Sequence, residues 1–329
     1  MTKRTRRVIM LTAFFVFIIF APAILCYAWG YSFDWENKRI VLTGGLYLKS
    51  IPKDAQIYLN DKPKQKSPAF IKRLAPKEYQ IKLVKDGYYP WQKNLKVESK
   101  LVTEARNILL IPLNPKIQVV EQNLAADFSL EKFLGLVKPT NVFYIQKPSN
   151  ILYKTDQNNS FQEQITFIPL TQNQEYQVFN SLNDQVVLLT QDRQFFLLNW
   201  ITREFELIGK NIQGFQFSDD NKKLLYYTPN ELWVYYLAGT PEQPTKNAGN
   251  KELITRISQP IETAIWYGQT NQHIILKIGQ DIKIIELDDR DQRNAVDFLK
   301  SDFQEISYSP KDKKIYLIKD NQLLGVSLE

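Results

Sequence analysis

Asp184, Asp192, Asp281 and Asp302 flank short apolar runs of this 329-residue chain. In a ring-shaped β fold such carboxylates can face a common channel. Two carboxyl groups at a suitable separation cleave a glycosidic bond, one as acid and the other as base or nucleophile. That reading would make the chain a glycan hydrolase or lyase. Asp219-Asp220 and Asp288-Asp289 are acidic pairs in polar turns. Calcium is the chemistry they offer, and solvation is the plainer account. His273 is the one histidine. A Ser-His-Asp arrangement would have to use it, and no Gly-x-Ser-x-Gly elbow accompanies it. One histidine and one cysteine, Cys26, exclude a zinc site of the usual Cys/His type. There is no Gly-rich phosphate loop. No cofactor and no metal are expected, and no residue set declares a reaction.

Binding chemistry is better represented. Tyr88, Tyr89 and Trp91 follow Gly87. Such a cluster stacks on sugars or anchors a protein contact, or else it closes a turn and fills a core. Lys62, Lys64, Lys66, Lys72 and Arg73 sit on neighbouring turns. They either meet an anionic surface or form a solvated face.

These residues are placed by the start of the chain. Lys3, Arg4, Arg6 and Arg7 precede an uncharged, mostly apolar stretch from Val8 to Phe33, which Asp34 ends. About 20 apolar residues cross a bilayer as a helix. The basic tail, residues 1–7, belongs in the cytosol by the positive-inside rule. The expectation is a single-pass cell-membrane protein with a span over 8–33 and everything beyond it outside the membrane. Tyr27, Trp29 and Tyr31 suit the outer interface. A cleaved signal peptide is the competing reading, with Ala21-Pro22-Ala23 as its small-x-small site. Leu25 is too large for a lipobox before Cys26. With one cysteine there is no intrachain disulfide. Charge divides unevenly: the tail carries +4, residues 34–106 carry +8, and the remainder carries −5. The basic part is either a lysine-rich solvated surface or is drawn to anionic headgroups or acidic wall polymers. Nucleic acid is not an expected partner in that compartment.

From residue 44 to 113 the chain alternates with period two: Leu46 and Leu48, then Ala55, Ile57 and Leu59, then Tyr79, Ile81 and Leu83. Turn residues separate these runs. Two small sheets packed face to face are predicted. The segment from Gly45 to Asp61, with Ser50-Ile51-Pro52 and Ala55-Gln56-Ile57-Tyr58 inside it, resembles the opening of the bacterial PEGA domain. Ser67-Pro68, the run from Leu74 to Ile81, and Lys85-Asp86-Gly87-Tyr88 continue the resemblance in order. Asp54 and Lys77 replace glycines of that pattern, and Asp61 stands where glycine is common. Asp tolerates positive φ better than Lys does. The resemblance implies a β-sandwich beside an envelope anchor, of a kind that binds carbohydrate or serves in surface display.

From 114 to 329 a longer repeat appears. Sets of three or four strands recur, with second strands expected near 142, 186, 223, 274 and 314. That spacing brackets a propeller blade. The run from Phe217 to Tyr226, with Ser218-Asp219-Asp220-Asn221-Lys222 at its turn, resembles the repeat of TolB-like (PD40, WD40-like) propellers. The run from Tyr308 to Tyr316 is a second copy. TolB-like rings hold more blades than the five counted here. The last set ends with three strands, and the orphan run from Lys116 to Glu121 is expected to supply the fourth and close the ring. The loop from Ala238 to Asn250 is the longest insertion, and such loops on a rigid ring carry recognition. The fold class expected is therefore all-β after one N-terminal transmembrane helix: a PEGA-like sandwich, then a propeller of about five blades. The function expected is a non-catalytic envelope protein that binds a protein or a cell-wall or surface glycan.

Overall fold

The computed structural model describes residues 3–34, 37–135, 137–172 and 174–328. It forms two compact units: Met1–Leu110 with Arg290–Gln292, and Ile111–Asp289 with Arg293–Glu329.

In the first unit, α1 spans Lys3–Ala28, and none of its side chains is buried. Its 26 residues reach about 39 Å at 1.5 Å per residue, more than the roughly 30 Å of a hydrocarbon core. The helix stops short of the predicted limit at residue 33. Gly30 takes φ +88°, and its N–H returns to the Tyr27 carbonyl at 3.1 Å. A left-handed residue at that point ends a helix by satisfying its last carbonyls. The chain then makes a hairpin of β1 (Tyr31–Asp34) and β2 (Arg39–Leu42).

The sandwich follows in β3 (Gly44–Ile51), β4 (Gln56–Leu59), β5 (Lys62–Lys66), β6 (Ala69–Leu74), β7 (Glu78–Val84), β8 (Trp91–Lys96) and β9 (Val102–Leu109). One sheet runs β6-β3-β9 and the other β5-β4-β7-β8. The apolar phase of each strand points inward, so Leu46, Leu48, Ile57, Ile81, Leu83, Leu95 and Ile108 make one core. β3 pairs with β9 in parallel, a crossover that the turn signals do not reveal. At Gly44 a Cβ would stand 2.2 Å from the Glu98 carbonyl oxygen, so only glycine permits that approach. The two serines of the PEGA-like motif meet inside: the Ser50 and Ser67 hydroxyls are 2.5 Å apart, and Ser67 Oγ accepts from the Ala55 N–H. Asp54 and Asp61 adopt φ +65° and +60°, so the aspartates tolerate the turns left by the missing glycines. Lys77 does not need positive φ.

The second unit opens with β10 (Ile117–Gln122) and the short α2 (Leu130–Leu134). Five sheets then follow in chain order. The first holds β11 (Asn141–Gln146), β12 (Ile151–Asp156) and β13 (Glu163–Gln164). The second holds β14 (Tyr176–Asn180), β15 (Val186–Thr190), β16 (Phe195–Asn199) and β17 (Glu204–Gly209). The third holds β18 (Gly214–Phe217), β19 (Lys223–Tyr227), β20 (Glu231–Tyr236) and β21 (Lys251–Arg256). The fourth holds β22 (Thr263–Trp266), β23 (His273–Ile278), β24 (Asp281–Glu286) and β25 (Ala295–Lys300). The fifth holds β26 (Glu305–Ser309), β27 (Lys314–Lys319) and β28 (Gln322–Val326). Strand β10 pairs antiparallel with β28 and completes that last sheet, as the orphan strand predicts. Among the described residues these five sheets follow one another as the blades of a β-propeller.

Second strands lose the period-two signal because neighbouring blades cover both faces. β15, β19 and β23 are buried along their whole length. In the first blade the sequence placed the second strand at 142, but that run is the first strand, β11, and the second begins at Ile151. Both runs are apolar, and the sheet order β11-β12-β13 separates them. Blades pack through shared cores: Val187 and Phe195 with Leu224 and Tyr226, and Leu225 and Val234 with Trp266 and Leu276.

One hydrogen-bonded clasp joins the third and fourth blades. The Trp266 N–H donates to Gln216 Oε1 at 2.8 Å, and its indole Nε1–H donates to the Gln216 carbonyl at 3.0 Å. Gln216→Leu removes the first acceptor and leaves a backbone donor unsatisfied. The expected cost is about 1–3 kcal/mol. Thermal melting of the variant beside Gln216→Glu, which keeps an acceptor oxygen, measures it.

Candidate functional site

A groove of about 350 Å³ opens at the first two blades. The segment after β13 supplies Thr166, Thr171 and Gln174, while the second blade supplies Tyr176, Gln194, Phe196, Glu204 and Phe205. Its polar groups are held in a chain. Tyr176 OH donates to Gln174 Oε1 at 3.0 Å. Gln174 Nε2 and Gln194 Nε2 donate to the two carboxylate oxygens of Asp192, at 3.3 and 2.6 Å. The Thr190 hydroxyl also donates to Asp192 and accepts from the Gln194 N–H at 2.9 Å. The Thr190 and Gln194 donors hold the Asp192 carboxyl below the usual carboxylate range. Asp192 is thus an ionised acceptor that orients amides, not a proton donor near neutral pH. The groove offers amides, hydroxyls and aromatic rings, with exposed Glu204 as the one carboxylate of its lining.

The carboxylates nominated by the sequence do not form a pair. Asp184, in the turn after β14, receives Asn141 Nδ2 at 2.8 Å and Lys154 Nζ at 2.9 Å, which ties the second blade to the first. Asp281 begins β24 and faces Lys300 across the ladder to β25. Asp302 lies just after β25. The first strands of consecutive blades adjoin, β11 with β14 and β18 with β22, and then β22 with β26. Across all five of these inner strands the sequence places a single carboxylate, Glu305.

Asp219 and Asp220 differ in environment. Burial, then the charge of Asp220, pushes the Asp219 carboxyl up. Against the upward push of burial, the Ser218 hydroxyl and Lys223 hold Asp220 down. Asp220 is committed to its turn: Ser218 Oγ donates at 2.5 Å, the Lys222 N–H at 3.1 Å, and the buried Lys223 ammonium at 3.3 Å. Asp220 fixes the turn between β18 and β19. His273 is fully buried, with Nδ1 2.9 Å from the Thr270 hydroxyl. Among the described residues no group of three or more His, Cys, Asp or Glu is placed to hold a metal ion.

The other nominated residues divide. Trp91 is buried in the sandwich core, Tyr88 packs against that core, and Tyr89 is half-buried. Lys62, Lys64 and Lys66 are all exposed on β5, which with Pro63 is an edge strand. Lysine and proline on an edge deter pairing with another chain, a structural reason for that composition. Lys72 lies over the Phe70 ring at 5.4 Å and Arg73 over the Tyr27 ring at 3.4 Å. The insertion from Ala238 to Asn250 is pinned rather than free: Lys246 Nζ meets Glu252 at 3.0 Å and Asp289 at 2.7 Å. Sequence reasoning missed the groove. Its residues come from separated segments and carry no motif; the polar run Thr171-Gln172 beside Gln174 was the available signal.

A search of curated proteins finds no match to this sequence. Among solved structures, the Cps50 (Swd1) β-propeller domain of Myceliophteria thermophila aligns over 82% of this chain and 87% of its own, at 8% identity and TM-score 0.39. KlHsv2 carrying a Gly-Ser linker in place of loop 6CD aligns over 78% and 72%, at 14% identity and TM-score 0.39. An oligogalacturonate lyase in complex with manganese aligns over 76% and 74%, at 12% identity and TM-score 0.39. The resemblance of the sandwich to the PEGA family is matched directly: residues 43–109 fit the model of the PEGA domain.

Proposed function

We propose that this chain is a membrane-tethered binding protein of the cell envelope, with α1 as a retained single-pass anchor. Its basic N-terminus lies in the cytoplasm, and the sandwich and propeller lie outside. The propeller groove engages a protein or glycan partner and carries out no reaction on it. The supporting observation is the groove's lining of amides, hydroxyls and rings, in which Gln174 and Gln194 are oriented by Asp192, an aspartate that its neighbours keep ionised. Such a surface suits a neutral chain rich in hydroxyl or amide groups, which it holds by hydrogen bonds and ring stacking.

Incorporating a photo-crosslinking residue at Phe205 in cells, with mass spectrometry of the adducts, tests this reading. An adduct with a glycan or an extracytoplasmic protein is expected. Gln194→Ala should weaken binding of that ligand to the purified full chain about tenfold, the scale of one or two hydrogen bonds. Salt should change the affinity little, because the amide, hydroxyl and ring contacts that carry the binding are neutral. Cleavage of the captured glycan, or an affinity indifferent to Gln194→Ala, would overturn it.

A further inference from the structure

The hairpin after α1 has two unlike faces. Tyr31 pairs with Leu42 and Phe33 with Ile40, so four apolar side chains share one face. Ser32–Val41 and Asp34–Arg39 make the other. On the second face Val41 and Asp34 are buried, while Ser32 and Arg39 are exposed, so that face turns toward the protein at Val41 and Asp34. On the first face Ile40 is 68% exposed and Phe33 42%. A two-stranded hairpin is marginal in water unless its apolar face finds a surface.

The base of this hairpin is fastened to the end of the helix. The Thr43 N–H and its hydroxyl both donate to the Gly30 carbonyl, at 2.9 and 2.8 Å. Arg73, at the end of β6, joins the same corner: its Nη1 donates to the Tyr27 carbonyl at 3.1 Å. Tyr27 and Trp29 are 59% and 69% exposed there. Lys38 and Arg39 are exposed toward the hairpin's tip. Ile40 lies within about 10 Å of Thr43 along the strand, so it stays beside the place where α1 ends. Aromatic rings and basic side chains around an apolar strip are the composition that settles at a bilayer interface.

We propose that the β1–β2 hairpin is a membrane-interface foot. Its Tyr31, Phe33, Ile40 and Leu42 face enters the headgroup–acyl boundary of the leaflet from which α1 emerges, and Lys38 and Arg73 reach lipid phosphates. The foot sets the sandwich against the bilayer, where a single helix alone would leave it free to swing. This inference rests on α1 being the membrane span.

Spin labels on the full chain in lipid nanodiscs test it, in a Cys26→Ser background with one label each at Ile40→Cys, Val16→Cys or Lys64→Cys. The expected result is that the label at 40 collides with lipid-soluble oxygen more than with an aqueous nickel chelate, as at 16 and opposite to 64. A label at 40 that behaves like 64, while 16 reports lipid, overturns the foot and leaves the anchor standing. A label at 16 that reports water removes the anchor reading, and the foot with it. As a second measurement, Ile40→Asp should reverse the collision ratio of a label at Leu42→Cys while the ratio at 16 stays fixed; an unchanged ratio at 42 overturns the foot.

Discussion

Replacing residues 117–122 with a Gly/Ser segment of equal length interrupted by prolines, which cannot donate along the ladder, lowers the melting temperature of the propeller by about 8–16 °C. The replaced strand is β10, which pairs with β28 from Ile117–Val326 to Gln122–Gln322, with a bulge at Val120. All six of its residues are exposed, so lost apolar burial is a small part of the effect. The ladder is the larger part. Each backbone hydrogen bond is worth about 1 kcal/mol net, so the strand contributes about 4 kcal/mol. For a body of this size 1 kcal/mol shifts the midpoint by about 2–4 °C. Two further contacts depend on the strand's course. Val120 closes over Gly325, where a Cβ would sit 3.1 Å from the valine methyl. The chain beyond it lays Leu124 and Leu130 on Tyr316, Ile318 and Leu323. Without β10 the edge of β28 is open and becomes a template for another chain. Concentration-dependent association should therefore accompany the lower midpoint. Calorimetry and light scattering read the two effects, and an unchanged melting curve refutes closure by this strand.

That closure was legible in the sequence because it is a counting argument. Three strands in the last set and one orphan strand before the first leave one economical pairing. The sandwich was legible for a different reason. Its strands are covered on one face only, so Leu46, Leu48, Ile57 and Ile81 keep strict alternation. The PEGA-like serines were legible as motif letters, but their meeting in the core was not. Period two also carried information that the aromatic cluster obscured. Trp91 is in phase with buried Leu95 and Val97, and that phase puts it inside whatever its position after a turn suggests.

The rest was hidden for physical reasons. Apolar composition continues past Ala28, so it cannot show where α1 ends; the left-handed Gly30 does that. Second strands such as β15 and β23 are covered on both faces and have no polar phase to read. The groove is built from amides whose positions depend on the fold. Gln174 and Gln194 meet only because both find Asp192, and no spacing rule links residues twenty apart on different segments. The carboxylates drew notice first because their chemistry is strong, yet Asp184 and Asp220 are spent on holding turns and blades.

Acidification from pH 7 to pH 5 costs the propeller about 2 kcal/mol through one residue, His273. The ring begins β23 and is fully buried, with the Tyr267 ring at its edge. Burial pushes its pKa down from 6.5 to about 3, and the charge of Asp288 opposes that only in part. The native ring is therefore neutral throughout this range, whereas the unfolded ring takes up a proton below about pH 6.5. Because the folded pKa is the lower one, the unfolded state binds more protons and stability falls as the pH falls. The loss begins near 6.5, grows by about 1.4 kcal/mol per pH unit, and levels off only near 3. His273 is the one histidine of the chain, so no other imidazole contributes to this window. Asp219 acts with the opposite sign: its raised carboxyl pKa makes the folded state gain relative stability as acid protonates it. His273→Gln, which puts a neutral amide of similar reach beside Thr270, should flatten or invert the slope between pH 7 and 5. Hydrogen exchange of the β23 amides at the two pH values, corrected for intrinsic rates, measures the difference within the propeller itself. Equal slopes in the variant and the natural chain would mean that His273 opens to water before the blade unfolds, and the burial assigned to it would then be wrong.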